Sequence, residues 1–405
     1  MKSIKNQMFL ILLLFLSSTM FTLTAFASDK PVWTVDYRKL NLPKHENESD
    51  PGFNVQFTPD NKILISFVHR SQQTKSATKD MLEKTDSFFV VLLLSGEKGE
   101  LIRRIEWPIM PESSPAGQTR IYPLPSGGYV GIIDRLDFTV ESRKTVTHLQ
   151  MFDSSFNVIH DRVLDTVERG KGVYRIILPM SGNVIILNQK EYRTRFAEIV
   201  EIIDLSTFEI MERFVQPDFG IVGIWKDQLL SISYDGNNDS RIFEKKIGAS
   251  QWNVLGLTQW TILHVLGLGD SMRYGNPRFI YNGSIVFRDL IGQPPETKEI
   301  FFMIEGGKMS GPFFEGCISR PSWNTPVVAC KKSKLSSIRL FLDLDSRDWI
   351  EAYDLSTRQV LLATKRYTAD NLIDYAISPD GDSIVVMTRK KIELYRVNPK
   401  KDKKK

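Results

Sequence analysis

After residue 27 the apolar positions recur every second residue or in short unbroken runs, and helical spacing is almost absent. The clearest unit is strand, tight turn, strand. Phe53 to Phe67 reads Phe-Asn-Val-Gln-Phe, then Thr-Pro-Asp-Asn-Lys, then Ile-Leu-Ile-Ser-Phe. Copies run from Arg120 to Val130 and from Arg175 to Ile185. Further turns fall at Trp225-Lys226-Asp227-Gln228, Tyr281-Asn282-Gly283-Ser284, Trp323-Asn324-Thr325-Pro326 and Ser378-Pro379-Asp380-Gly381. Gly, Asn and Asp suit such turns because they tolerate positive φ or bond their own backbone.

These turns return every 42 to 66 residues, counted from Asn61, Gly127, Gly182, Asp227, Gly283, Thr325 and Gly381. A second hairpin follows most of them, turning at Asp153-Ser154-Ser155-Phe156, Asp204-Leu205-Ser206-Thr207 and Asp354-Leu355-Ser356-Thr357. Two hairpins per period make four strands per period, which is a propeller blade. The sequence therefore predicts an all-β protein, a β-propeller of about seven four-stranded blades. The last unit offers three strands, near 372–377, 383–388 and 392–397. The missing fourth is supplied by Val32-Trp33-Thr34-Val35-Asp36-Tyr37, so the N-terminal strand pairs with the last blade and closes the ring. A parallel β-helix has shorter, more regular periods, and tandem β-sandwiches require linkers; these are the rival architectures.

The turns Ser378-Pro379-Asp380-Gly381 and Asp204-Leu205-Ser206-Thr207 resemble those of bacterial propellers in the broad WD-like and quinoprotein-like group. The stretches 119–130 and 62–70 are similar to exported bacterial propellers of a functionally uncharacterised family. That resemblance implies fold and says little about chemistry. The Gly-His and Trp-Asp pairs of WD repeats and the Trp docking motif of quinoprotein propellers are both missing.

The ends add a location. Lys2 and Lys5, the apolar run Met8 to Leu16 and the small-x-small site Ala25-Phe26-Ala27 read as a signal peptide, 1–27. An uncleaved anchor is the alternative, since roughly 20 uncharged residues can just span a bilayer. The expectation is an exported protein, periplasmic or extracellular, with no transmembrane span after signal removal. A single propeller domain covers 28–398, because no linker or change in composition divides it. Residues 399–405 form a lysine-rich disordered tail, which carries much of the net charge of +5. Of two cysteines, Cys317 and Cys330 are a disulfide candidate: a hairpin tip at Trp323-Asn324 sets them opposite each other. Two free thiols are the other reading.

In a four-stranded blade the first-to-second and third-to-fourth turns share one end. The second-to-third connections and the links between blades share the other. The long segments 71–87, 108–119, 134–145, 258–276 and 331–337, with a charged extension to 348, all belong to the second set. At that end, Arg120 and Arg175 precede Ser126 and Ser181 by six residues, and Arg278 and Arg320 precede Asn282 and Asn324 by four. Equal parity turns all four the same way in ideal strands, so they form a candidate anion-binding cluster at the channel mouth. Tyr122 and Tyr274 lie beside it as candidate ligand-binding residues, with core packing as the plainer role. Asn54 and Asp374 take the corresponding place in two other blades.

No His-x-His pair, Gly-x-Ser-x-Gly elbow or phosphate-cradling loop occurs. No cofactor, metal site or catalytic residue is predicted, and nucleic acid is not an expected partner. Asp235-Gly236-Asn237-Asn238-Asp239 is a fragment of a calcium loop that reads better as a polar turn. The favoured function is a non-catalytic exported propeller that binds a protein partner or anionic small ligand through its long-loop face. The alternative is a channel-mouth enzyme, either a metal-assisted hydrolase or lyase or a quinone-dependent dehydrogenase. The oligomeric state is not encoded in any motif.

Overall fold

The computed structural model describes residues 30–42, 53–70, 87–109, 119–137, 144–167, 173–177, 183–190, 198–216, 219–225, 228–234, 240–258, 276–281, 284–291, 298–305, 308–310, 319–334, 347–357, 359–368 and 371–397. The predicted signal, the lysine tail, Tyr274 and Cys317 lie outside them.

The described chain is all-β, with one 3-10 turn at Tyr37–Leu40 after β1 (Trp33–Asp36). The strands form antiparallel sheets in chain order. The first holds β2 (Asn54–Phe57), β3 (Ile63–Arg70), β4 (Ser87–Leu94) and β5 (Leu101–Ile109). The second holds β6 (Arg120–Pro123), β7 (Tyr129–Asp137), β8 (Lys144–Phe152) and β9 (Val158–Val167). The third holds β10 (Val173–Ile177), β11 (Val184–Lys190), β12 (Glu198–Asp204) and β13 (Ile210–Gln216). The fourth holds β14 (Phe219–Trp225), β15 (Gln228–Tyr234), β16 (Ser240–Lys246) and β17 (Asn253–Thr258). The fifth holds β18 (Asn276–Tyr281), β19 (Ser284–Ile291), β20 (Lys298–Glu305) and β21 (Lys308–Ser310). The sixth holds β22 (Ser319–Pro321), β23 (Val327–Lys334), β24 (Arg347–Asp354) and β25 (Gln359–Ala363), with β26 (Tyr367–Thr368) also on β24. The last holds β27 (Leu372–Ile377), β28 (Ser383–Thr388) and β29 (Lys391–Arg396), and β1 is its outer strand. β1 runs antiparallel to β29, with Trp33 opposite Leu394 and Asp36 opposite Lys391.

Inner strands read as unbroken apolar runs because both of their faces are covered. In β3, Ile63, Ile65 and Phe67 pack with Ala376, Val385 and Met387 of the last sheet, while Leu64 packs with Ile121 and Ile133 of the second. In β28, Val385 and Met387 face the first sheet, and Ile384 and Val386 face the sixth. Burying each such side chain contributes about 1.5–3 kcal/mol relative to exposure. Outer strands instead expose one row, as Ile210, Met211 and Val215 do on β13. Among the described residues no helix is long and apolar enough to cross a membrane.

The tight turns are joined from sheet to sheet. Asn61, with φ of 59°, sends Nδ2 to Asp380 Oδ2 at 2.8 Å. The Asn324 N–H donates to the Pro379 carbonyl at 3.0 Å. A Cβ on Gly381, whose φ is 74°, would lie 2.4 Å from Thr325 Oγ1, so this turn accepts only glycine without displacing its neighbour.

Two expectations change. The sixth hairpin turns one residue later than predicted: Ser322 N–H bonds the Val327 carbonyl, and Ser322 Oγ bonds the Thr325 carbonyl. Pro321 therefore pairs with Val328, and the buried Cys330 stands opposite Ser319, two positions from Cys317. The cross-strand geometry behind the disulfide candidate is absent. Second, segment 134–145 is largely ladder: Asp134 pairs with Thr147 and Asp137 with Lys144, so the connection shrinks to 138–143. Likewise β23 continues to Lys334, which pairs with Arg347.

Candidate functional site

The predicted arginines all fall on the first strand of a sheet. Arg120 opens β6 opposite Ile132, and its side chain is exposed. Arg175 lies on β10 opposite Asn188, and Arg320 on β22 opposite Ala329. Arg278 occupies a bulge in β18, between Pro277 opposite Phe287 and Phe279 opposite Val286. Tyr122 is half-buried against the cluster of Leu124, Val130 and Ile132, which is its plainer, packing role.

The position corresponding to Arg120 does different work in the last sheet. Asp374 is buried on β27, and its Oδ2 accepts the Val55 N–H of β2 at 2.8 Å. Gln56 continues the series, donating from Nε2 to the Ile121 carbonyl of β6 at 2.9 Å. Both bonds satisfy backbone groups that the first strand's open edge leaves over. These inner-strand polar positions join sheets.

At the end of the second sheet where Arg120 lies, the structure brings in residues that spacing did not single out. Asp134 lies on β7, two residues beyond the partner of Arg120, and its N–H donates to Thr119 Oγ1 at 3.3 Å. Its side chain is 6% exposed and accepts from Thr147 Oγ1 at 2.8 Å. Burial pushes this carboxyl above its ordinary pKa, against the opposing pull of the Thr147 bond and the nearby His148. Arg120 and Asp134 lie at the same end of neighbouring strands, the first exposed and the second buried.

A second polar group stays apart. His148 Nδ1 meets Asp161 Oδ1 at 2.7 Å, and Gln150 Nε2 donates to Asp161 Oδ2 at 2.9 Å. His148 and Thr147 are adjacent on β8 and point to opposite faces, so His148 bears on Asp134 electrostatically and Thr147 by its hydrogen bond. Asp134 carried a weak signal in the sequence: an acid inside the apolar run Tyr129 to Ile133 and its continuation.

No family model matches the chain, and no curated protein matches it in sequence. Solved structures do. The β-propeller domain of the Trilobed protease from Pyrococcus furiosus, reported with an open velcro topology, aligns at a TM-score of 0.50 and 8% identity, covering 86% of this chain and 98% of that one. Prolyl oligopeptidase B from Galerina marginata aligns at 0.50 and 10% identity, covering 83% of this chain and 46% of its own length. The fold is that of a β-propeller. At such identities the likeness concerns fold alone.

Proposed function

We propose that this protein is a non-catalytic, exported propeller of seven blades. It binds a protein partner or an anionic ligand through the end that carries the long connections. The observation that carries this is the contrast between the two ends of the sheets. One end is short turns bonded to one another through Asn61, Asp380, Asn324 and Pro379. The other presents exposed Arg120 between connections 110–118 and 138–143. The ring is read as closed by β1, in support of which the last and first sheets share one apolar cluster with Trp33 and Val35 against it.

Native mass spectrometry of the protein purified from its own source tests the reading. A co-purifying mass is expected. Changing Arg120, Arg175, Arg278 and Arg320 together to Gln should remove that mass and leave thermal stability nearly unchanged; retention of the mass overturns the assignment. Export predicts a mature N-terminus at Ser28, read by terminal sequencing.

Asp134 favours a second reading, a channel-mouth enzyme, because raised carboxyl pKa values are typical of proton-transfer groups. There, Asp134→Asn would abolish turnover of a substrate that the protein still binds.

A further inference from the structure

The last sheet differs from the others at the long-connection end. Its second and third strands, β28 and β29, are joined by two residues, Arg389 and Lys390, where β3 and β4 are separated by residues 71–86. The short turn is rigidly built. Thr388 Oγ1 accepts the Lys391 N–H at 3.0 Å and donates to the Lys391 carbonyl at 2.9 Å. The Arg389 N–H reaches back to the Asn371 carbonyl beside β27 at 2.9 Å, and the Tyr37 N–H donates to the Lys390 carbonyl at 3.0 Å.

This frame carries a row of cations. Arg38, Lys39, Arg389, Lys390 and Lys391 are all exposed. Arg38 is paired with Asp36 at 3.1 Å. That contact, together with Lys391 across the ladder, holds the Asp36 carboxyl down at about 2. Among the described residues the side chains of Lys39, Arg389 and Lys390 have no carboxylate partner, and Lys391 faces Asp36, which Arg38 already engages. Some lysines elsewhere are neutralised: Lys331 meets Asp348 at 2.7 Å, Lys365 meets Glu393 at 2.5 Å, and Lys245 meets Glu212. The row runs from the β28–β29 turn to the 3-10 turn after β1, two strand spacings or roughly 10 Å.

We infer that this basic ridge is the docking surface for an acidic polypeptide segment of a partner protein. The inference rests on the reading of the long-connection end as the binding end, and moves the decisive charges from the four inner-strand arginines to the last sheet. An open row of cations in excess over its one carboxylate, held by a stiff turn, suits an extended run of carboxylates, where a single small anion needs a convergent, forked site. A bilayer surface is the lesser fit. Membrane-binding surfaces pair cations with apolar anchors, and the large exposed apolar side chains Leu101, Ile102, Val158 and Ile159 lie on the outer strands β5 and β9.

The test is fluorescence anisotropy of a labelled decaglutamate peptide with the full chain. Wild type should bind, and should weaken as salt rises. Replacing Arg389, Lys390 and Lys391 together by Gln should weaken binding roughly tenfold, about twofold per exposed charge. Lys390→Gln alone should show the single step and guards against misfolding of the triple variant. Unchanged affinity in both variants overturns the ridge. If the variant with Arg120, Arg175, Arg278 and Arg320 changed to Gln loses the peptide while the ridge variants keep it, the ridge fails and the channel mouth stands. If wild type ignores the peptide but sediments with phosphatidylglycerol vesicles through the ridge, the acidic polypeptide is the wrong partner.

Discussion

Two junctions between sheets solve the same packing problem with different chemistry. Where the last sheet meets the first, the chain runs from β1 to β2 through residues 37–53, and the contact is held by bonds aimed at backbone groups. Asp374 takes the Val55 N–H, Trp33 Nε1 donates to the Gly96 carbonyl at 3.0 Å, and Arg104 Nη1 donates to the Leu40 carbonyl at 3.2 Å. Where the third sheet meets the fourth, residues 217–218 already tie the two together, and the polar contact is ionic. Buried Lys245 pairs with Glu212 and sits 4.3 Å from the centroid of the Phe214 ring, while Glu212 also accepts the Gly248 N–H at 2.9 Å. Directional backbone bonds fix position at a junction whose covalent link is long, residues 37–53 against the two residues 217–218. An ion pair tolerates small shifts but pays for desolvation.

The largest effect should come from removing the strap. A chain lacking residues 30–42 loses the buried Tyr37, Leu40 and Leu42 and should be destabilised by on the order of 5 kcal/mol, measured by guanidinium unfolding. Asp374→Ala leaves the Val55 N–H without its acceptor and should cost about 3 kcal/mol; Asp374→Asn keeps an acceptor and should cost about 1. If the two variants unfold alike, the bond is not what holds that junction. At the ionic junction, Lys245→Met strands Glu212 and should cost about 2 kcal/mol, with most of it recovered in Lys245→Met combined with Glu212→Gln. Failure of the double variant to recover would assign the loss to the contact with Phe214. Smallest is a pH effect away from both junctions. Burial raises the Asp134 pKa, so its contribution is complete below about pH 4, the unfolded value, and lost as pH rises through the folded one. Asp134→Asn imitates the protonated form. Its melting temperature should exceed that of wild type at neutral pH and match it in acid, and the reverse order excludes a raised pKa.

Much of the fold was legible. The strands expected near 372–377 and 383–388 are β27 and β28 residue for residue, and the strand expected at 32–37 contains β1. Their alternation and their Ser-Pro-Asp-Gly turn are local properties. The candidate site was less legible, for a specific reason. Parity assigns a common direction only along regular strands, and bulges interrupt β14 between Ile221 and Gly223, β18 at Arg278 and β27 between Leu372 and Asp374. Nothing local in Asp374 reveals that its partner is Val55, 319 residues away.

By itself the sequence determined the strand and turn positions, the repeat and the strand that completes the last sheet, because period-two patterning and turn chemistry act over a few residues. Tertiary structure alone decided which charges are neutralised. Lys245 and Lys365 find acids on neighbouring sheets, and Arg389 and Lys390 find none among the described residues. It also decided the register at Cys330, where the Ser322 bonds turn the chain one residue late. Both outcomes depend on groups brought together only when the sheets stack, and no window of local sequence contains them.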